Sequence, residues 1–134
     1  MKIRELLTES LDRKNTYRIL HDFIKYAANH LELETLPKFD IVFDNDRSVE
    51  NSSFGGYGGH HIQITVKDRH IMDVCRTLAH ELVHFRQDMN GDLEGDNPGA
   101  TGSPQENEAN AEAAVIMRNW GKLHPKLFSL RAIE

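Results

Sequence analysis

Apolar residues recur along this chain at two different spacings, and the changes between them mark out its elements. Ile3, Leu6, Leu7 and Leu11 fall on one side of a short helix over residues 2–12. Tyr17, Leu20, Phe23, Ile24, Ala27 and Leu31 make the face of a longer helix, for which Asn15 or Thr16 is the predicted cap. Pro37 pushes the residue before it out of the α region, so that helix ends ahead of it, and Phe39-Asp40-Ile41-Val42-Phe43 then alternates as a strand. Residues 44–61 are polar and glycine-rich, closing in Gly55-Gly56-Tyr57-Gly58-Gly59-His60-His61; this reads as a flexible hairpin or strand-entry loop. Ile62, Ile64 and Val66 next alternate with Gln63, Thr65 and Lys67, a half-buried strand with one polar face.

The period returns to helical at Ile71, where Ile71, Val74, Cys75, Leu78, Leu82 and Phe85 follow in steps of three and four. Asp88 to Ser103 is dense in Asp, Gly, Asn and Pro and reads as a loop near the site. Ser103-Pro104-Gln105-Glu106 restarts a helix with a capping serine, a proline at the first helical position and a glutamate three residues on. Gly121 and Pro125 limit its far end. The elements predict an α+β fold in one domain spanning 1–134, with residues 1–14 as an N-terminal helical arm.

Composition narrows the class. A chain of 134 residues supports one modest core, and it has no apolar run long enough to span a membrane. Met1 to Leu7 lacks the apolar stretch and cleavage site of a secretory signal, and the single cysteine, Cys75, permits no intramolecular disulfide; both fit a cytoplasmic protein. Cys75 sits on the apolar stripe, as a packed residue rather than a nucleophile. The formal net charge of -5 offers no basic surface, so neither nucleic acid nor membrane is an expected partner.

His80-Glu81-Leu82-Val83-His84 is the segment with chemistry in it. Residues four apart in a helix lie one turn apart on one face, so His80 and His84 can both face one metal ion, with Glu81 between them as the base for a bound water. Both histidines lie off the apolar stripe, on a flank shared with Thr77 and Gln87. A catalytic zinc needs a third protein ligand, and the continuation HxxGxxH is absent, since Gln87 and Asn90 stand where its Gly and His would be.

The downstream helix offers Glu106, Glu108 and Glu112. At about 100° per residue, Glu106 falls on the stripe of Ala109, Ala113, Ile116, Met117 and Trp120, where a carboxylate is costly unless paired or metal-bound. Glu108 and Glu112 project to the far side with Asn119, toward water. Glu106 is therefore the favoured ligand, Glu108 the alternative; Glu106 can also serve as the reach-back member of a capping box with Ser103. Asn110, one turn beyond Glu106, is placed either to hydrogen-bond a ligand histidine or to face solvent. His124 lies about 27 Å along a continuous helix from Glu106 and joins no common site unless the chain turns back at Gly121.

HELVH followed by Glu106-Asn107-Glu108-Ala109-Asn110 resembles the gluzincin metallopeptidases, and its ExxAN form is similar to the ImmA/IrrE-type peptidases and the small minigluzincins. The resemblance covers roughly residues 15 to 121. It implies a small zincin-like domain, a zinc ion held by His80, His84 and Glu106, and peptide hydrolysis with Glu81 as general base. The FAxxLLMP continuation of ImmA/IrrE proteins is replaced by Glu112-Ala113-Ala114-Val115-Ile116-Met117, and the expected single domain has no DNA-binding or sensor partner, which argues against a repressor-cleaving role. Met1 to Glu9 resembles the opening of tailed-phage proteins.

The expected partner is a peptide or protein substrate, aligned by backbone hydrogen bonds along the strand from Gln63 to Lys67. Tyr57, His60 and His61 are candidates to stabilise the oxyanion. A non-enzymatic zinc-stabilised binding or virion-assembly module is the alternative that keeps the ligands, and a metal-free helical interaction protein is the alternative that does not.

Overall fold

The segment Ile71–Met89 buries twelve of its nineteen residues, and the fold is arranged around that fact. In the computed structural model, which describes residues 11–43, 55–58, 60–93 and 102–133, three helices and a three-stranded sheet enclose one core. The elements are α1 (Arg13–His30), β1 (Lys38–Val42), β2 (Gly55–Gly58), β3 (His61–Thr65), α2 (Ile71–Met89), α3 (Pro104–Leu123) and a 3₁₀ turn (Pro125–Ser129). This is an α+β domain. Among the described residues no helix is long and apolar enough to cross a membrane.

Helix α2 carries the predicted stripe, and Met72, Ala79 and Val83 are buried as well. It packs on α1, α3 and the sheet. A helix apolar on one stripe needs one neighbour; one apolar on several sides must be surrounded, and that fixes it at the centre. Against it α3 presents Ala109 and Ala113, both buried, whose small side chains allow the close approach expected of them. The predicted strands form where Ile62, Ile64 and Val66 are fully buried and Phe39 and Ile41 pack against the core.

The sheet order is β1-β3-β2, with β1 parallel and β2 antiparallel to β3. Of the two readings of the glycine-rich stretch, hairpin and strand-entry loop, the hairpin is observed: Gly55–Gly58 pairs antiparallel with β3 from Gly55↔Ile64 to Gly58↔His61, the alternating β3 supplying the hydrogen-bonding template that glycine's own weak strand propensity does not. One sequence expectation changes here: β3 is the middle strand. Its backbone is engaged on both sides from His61 to Ile64, so Gln63 and Ile64 cannot take an added peptide; among the described residues the outer strands are β1 and β2.

Further corrections concern element ends. Asp12, not Asn15 or Thr16, caps α1: its Oδ1 accepts from the Asn15 backbone N–H and from Asn15 Nδ2, both at 2.8 Å, while Thr16 Oγ1 donates to the Asp12 carbonyl. A carboxylate at this position also faces the positive end of the helix dipole, which an amide or hydroxyl cannot exploit. Leu11 bridges to Ile133, tying the start of the described chain to its end, whereas the helix expected over residues 2–12 otherwise lies outside the described residues. Helix α2 runs through Asp88 and Met89 to an Asn90 cap, so the following loop starts later than its composition suggests. Gly121 does not stop α3. A Cβ there would lie 2.9 Å from Phe128 Cζ, so glycine admits the ring of the 3₁₀ turn against the helix.

Replacing Asp12 with alanine is expected to cost about 1 kcal/mol, a fall in Tm of roughly 3–5 °C for a chain of this size, measured by thermal melting. Asn15→Ala is expected to cost less, and the reverse order would overturn the cap assignment.

Candidate metal centre

Helical spacing alone brings the two imidazoles together. His80 and His84, one turn apart on α2, stand with their Nε2 atoms 3.2 Å from each other. Glu106 reaches them from α3: its Oε1 lies 2.9 Å from His80 Nε2 and its Oε2 3.1 Å from His84 Nε2. The position of this carboxylate follows from the cap. Ser103 Oγ accepts from the Glu106 backbone N–H at 3.1 Å, which starts α3 so that its third residue turns toward α2. The capping role and the ligand position thus belong to the same local structure.

The three side chains are mostly enclosed, at 18%, 11% and 22% exposure, and they are the one group of three or more metal-binding side chains among the described residues. Their spacing fits a shared cation. Two ligands at 2.0–2.1 Å from a tetrahedral zinc are about 3.3 Å apart, close to the observed Nε2–Nε2 separation. Without a cation or protons between them, two imidazole lone pairs and a carboxylate would repel at this range. Three protein donors also leave one tetrahedral position for a small ligand.

Neighbouring groups fix which nitrogen faces inward. His84 Nδ1 lies 2.7 Å from Gln87 Oε1; an amide oxygen only accepts, so Nδ1 carries the hydrogen and Nε2 offers its lone pair. Gln87 is itself held from α3, donating its Nε2 hydrogens to the Gln105 carbonyl and to Glu108 Oε1, each at 2.9 Å. Asn110 hydrogen-bonds the His80 ring in a way that favours the protonated ring, as an acceptor does. Asn110 is itself exposed, so it faces solvent while lying close enough to the ring to influence it. Burial lowers the His80 pKa, with Glu106 opposing it.

Glu81 is buried outside the triad, and burial raises its carboxyl to about 7. His84 pulls the value down and Glu106 pushes it up, so Glu81 lies within electrostatic reach of both. Cys75 is fully buried, and burial pushes its thiol well above its ordinary range, as expected of a packing residue.

Glu108 and Glu112 keep the partial exposure their helical phase predicts, and also meet neighbouring side chains. Glu108 accepts from Gln87 and lies 3.7 Å from Arg86, and Glu112 lies 3.7 Å from Arg86 and 3.6 Å from His30. The helical phase correctly separates them from Glu106, but α2 is broad enough to meet them as well. His60 pairs with Asp88 across 3.1 Å, with its ring edge-on to Phe85. His61 is exposed at the start of β3, and the side chain of Tyr57 lies outside the described residues. His124 stacks on Trp120, with centroids 3.9 Å apart, and takes no part in the cluster.

The sequence offered the flank position of Gln87, three residues beyond His84, as a sign of its role; nothing local announces the Glu108 contact or the His60–Asp88 pair. Comparison of the chain with family models, curated proteins and solved structures finds no match in any of the three. His80, His84 and Glu106 lie close enough together to hold a metal ion.

With zinc as the probe ion, Gln87→Ala is expected to weaken binding roughly 10- to 100-fold by releasing the His84 ring. Glu108→Ala should have a smaller effect through Gln87, and Glu112→Ala almost none. Competition with a chromogenic chelator ranks them; a Glu108→Ala loss equal to that of Glu106→Ala would make Glu108 a ligand.

Proposed function

We propose that this protein is a zinc-dependent metallopeptidase of the gluzincin type, similar to the minigluzincins and the ImmA/IrrE-type peptidases. The observation that carries the reading is the convergence of His80, His84 and Glu106 beside a buried Glu81 that is not one of the three. A structural metal site is satisfied by ligands alone. Here a fourth residue, an acid of the kind a hydrolase needs as base, lies within reach of the cluster.

Neutral imidazoles with one carboxylate suit zinc, being borderline donors with a hard oxygen. When bound, zinc lowers the pKa of a coordinated water toward ~7 and polarises a carbonyl. The remaining steps belong to the chain. Glu81 takes a proton from the attacking water as it adds to the scissile carbonyl, then gives that proton to the departing amine as the C–N bond breaks. Gln87 and Asn110 keep the ligand rings in the orientation the site needs. β2, which packs against α2 and is an outer strand among the described residues, offers its edge to an extended peptide. That moves the alignment role from β3 to its glycine-rich neighbour. His60, held by Asp88 one turn beyond His84, is the described residue of the hairpin best set to meet substrate.

About one zinc per chain should remain after dialysis, and Glu106→Ala should lose it, as read by elemental analysis. Zinc at background with no uptake on titration would overturn the reading.

Glu81→Gln is expected to fold and hold zinc like the wild type while losing peptide hydrolysis by at least ~10². A peptide-library digest followed by mass spectrometry compares the two in the same zinc-loaded state. Equal cleavage by both would indicate a contaminant, and cleavage by neither would favour the zinc-stabilised binding or virion-assembly module.

A further inference from the structure

The far end of α2 borders a second feature. A cleft of about 700 Å³ lies between the C-terminal turns of α2, the segment that follows α1, and Glu108 of α3. Its walls include Leu31, Leu33, Phe85 and Met89. Leu31 and Phe85 are buried, and Met89 is 46% exposed, so the cleft has an accessible apolar wall. Four carboxylates also line the cleft: Glu32, Glu34, Asp92 and Glu108.

The charge there is unbalanced. Arg86 is the one cation in the lining, and it already lies 3.7 Å from both Glu108 and Glu112. Among the described residues no ion pair engages Glu32, Glu34 or Asp92, and all three are exposed. An apolar floor beneath several uncompensated carboxylates attracts a ligand that is apolar near its backbone and positive at its tips. Lysine and arginine side chains have that form, with alkyl stems that lie on apolar surface and charged ends that stay wet. Nucleic acid and anionic lipid are repelled by the same carboxylates.

We propose that this cleft is a docking site for a basic polypeptide segment in which lysine or arginine alternates with apolar residues. The site is separate from the metal triad and does not depend on hydrolysis. It is nevertheless one side chain away, since Gln87 lines the cleft and also holds His84. A partner seated there would lie against the residue that orients a metal ligand.

The test measures fluorescence anisotropy with a labelled Lys-Leu-Lys-Leu-Lys peptide on the full chain bearing Glu81→Gln, so that no probe is consumed. Saturable binding is expected, with Lys-Ser-Lys-Ser-Lys and Glu-Leu-Glu-Leu-Glu much weaker. The triple variant Glu32→Gln, Glu34→Gln, Asp92→Asn should bind the probe roughly tenfold more weakly, and Met89→Ser should also weaken it. All these positions are exposed, and unchanged thermal melting verifies the fold. Asp22→Lys with Ala114→Lys adds the same three positive charges elsewhere and should leave affinity nearly unaltered. Equal loss in that control would show attraction by net charge alone, and an unaltered triple variant would place binding outside the cleft; either result overturns the proposal, as does equal affinity for the serine peptide.

Discussion

Two ring nitrogens 3.2 Å apart with a carboxylate across them impose the main constraint on this structure. Such a group is stable only where a cation or shared protons offset the repulsion, and only where the elements carrying it cannot move apart. The second condition explains much of the fold. His80 and His84 are fixed relative to each other by one helix, but Glu106 comes from another, so its distance from them depends on how α3 sits on α2. Ala109 and Ala113 make that seat close, and the Ser103 cap sets where the helix begins.

Three glutamates on α3 show how finely that seating matters. Glu106, Glu108 and Glu112 share a charge and a helix, yet their partners differ: Glu106 meets the two histidines, Glu108 meets Gln87 and Arg86, and Glu112 meets Arg86 and His30. The contacts of Glu108 and Glu112 are partly exposed and individually weak. Acting together they oppose rotation of α3 about its axis, which would swing Glu106 away from the imidazoles. The Gln87 amide adds a tie of another kind, bonding α3 through two acceptors and His84 through its oxygen.

Much of this was legible in the sequence, for physical reasons that also explain what was not. The helical stripes of α1 and α2 and the alternation of Ile62, Ile64 and Val66 are local signals that tertiary packing reinforces. Glu106 was legible because helical phase converts sequence position directly into direction. The hairpin strand at Gly55–Gly58 stayed one of two readings, since glycine carries no side-chain pattern and the pairing partner lies in β3. The central place of β3 was hidden for the same reason: strand order is a long-range property, and two neighbours claimed an edge that alternation alone leaves open. Asp12 is not marked as a cap by the sequence pattern because the apolar periodicity starts several residues later than the helix itself.

The buried acid beside the triad carries the argument from binding to chemistry. Placing Glu81 in the interior raises its carboxyl to about 7, a cost that a purely structural metal site has no need to bear. A glutamine of the same shape would pack in that position without the penalty, and an apolar residue would add to a core that already surrounds α2. Retaining an ionisable group where it opposes stability is understandable if its proton has work to do next to a polarised carbonyl, and no other described acidic residue is both buried and outside the ligand set. The burial that makes Glu81 expensive would also strengthen its electrostatic interaction with a charge developing beside it in the proposed reaction.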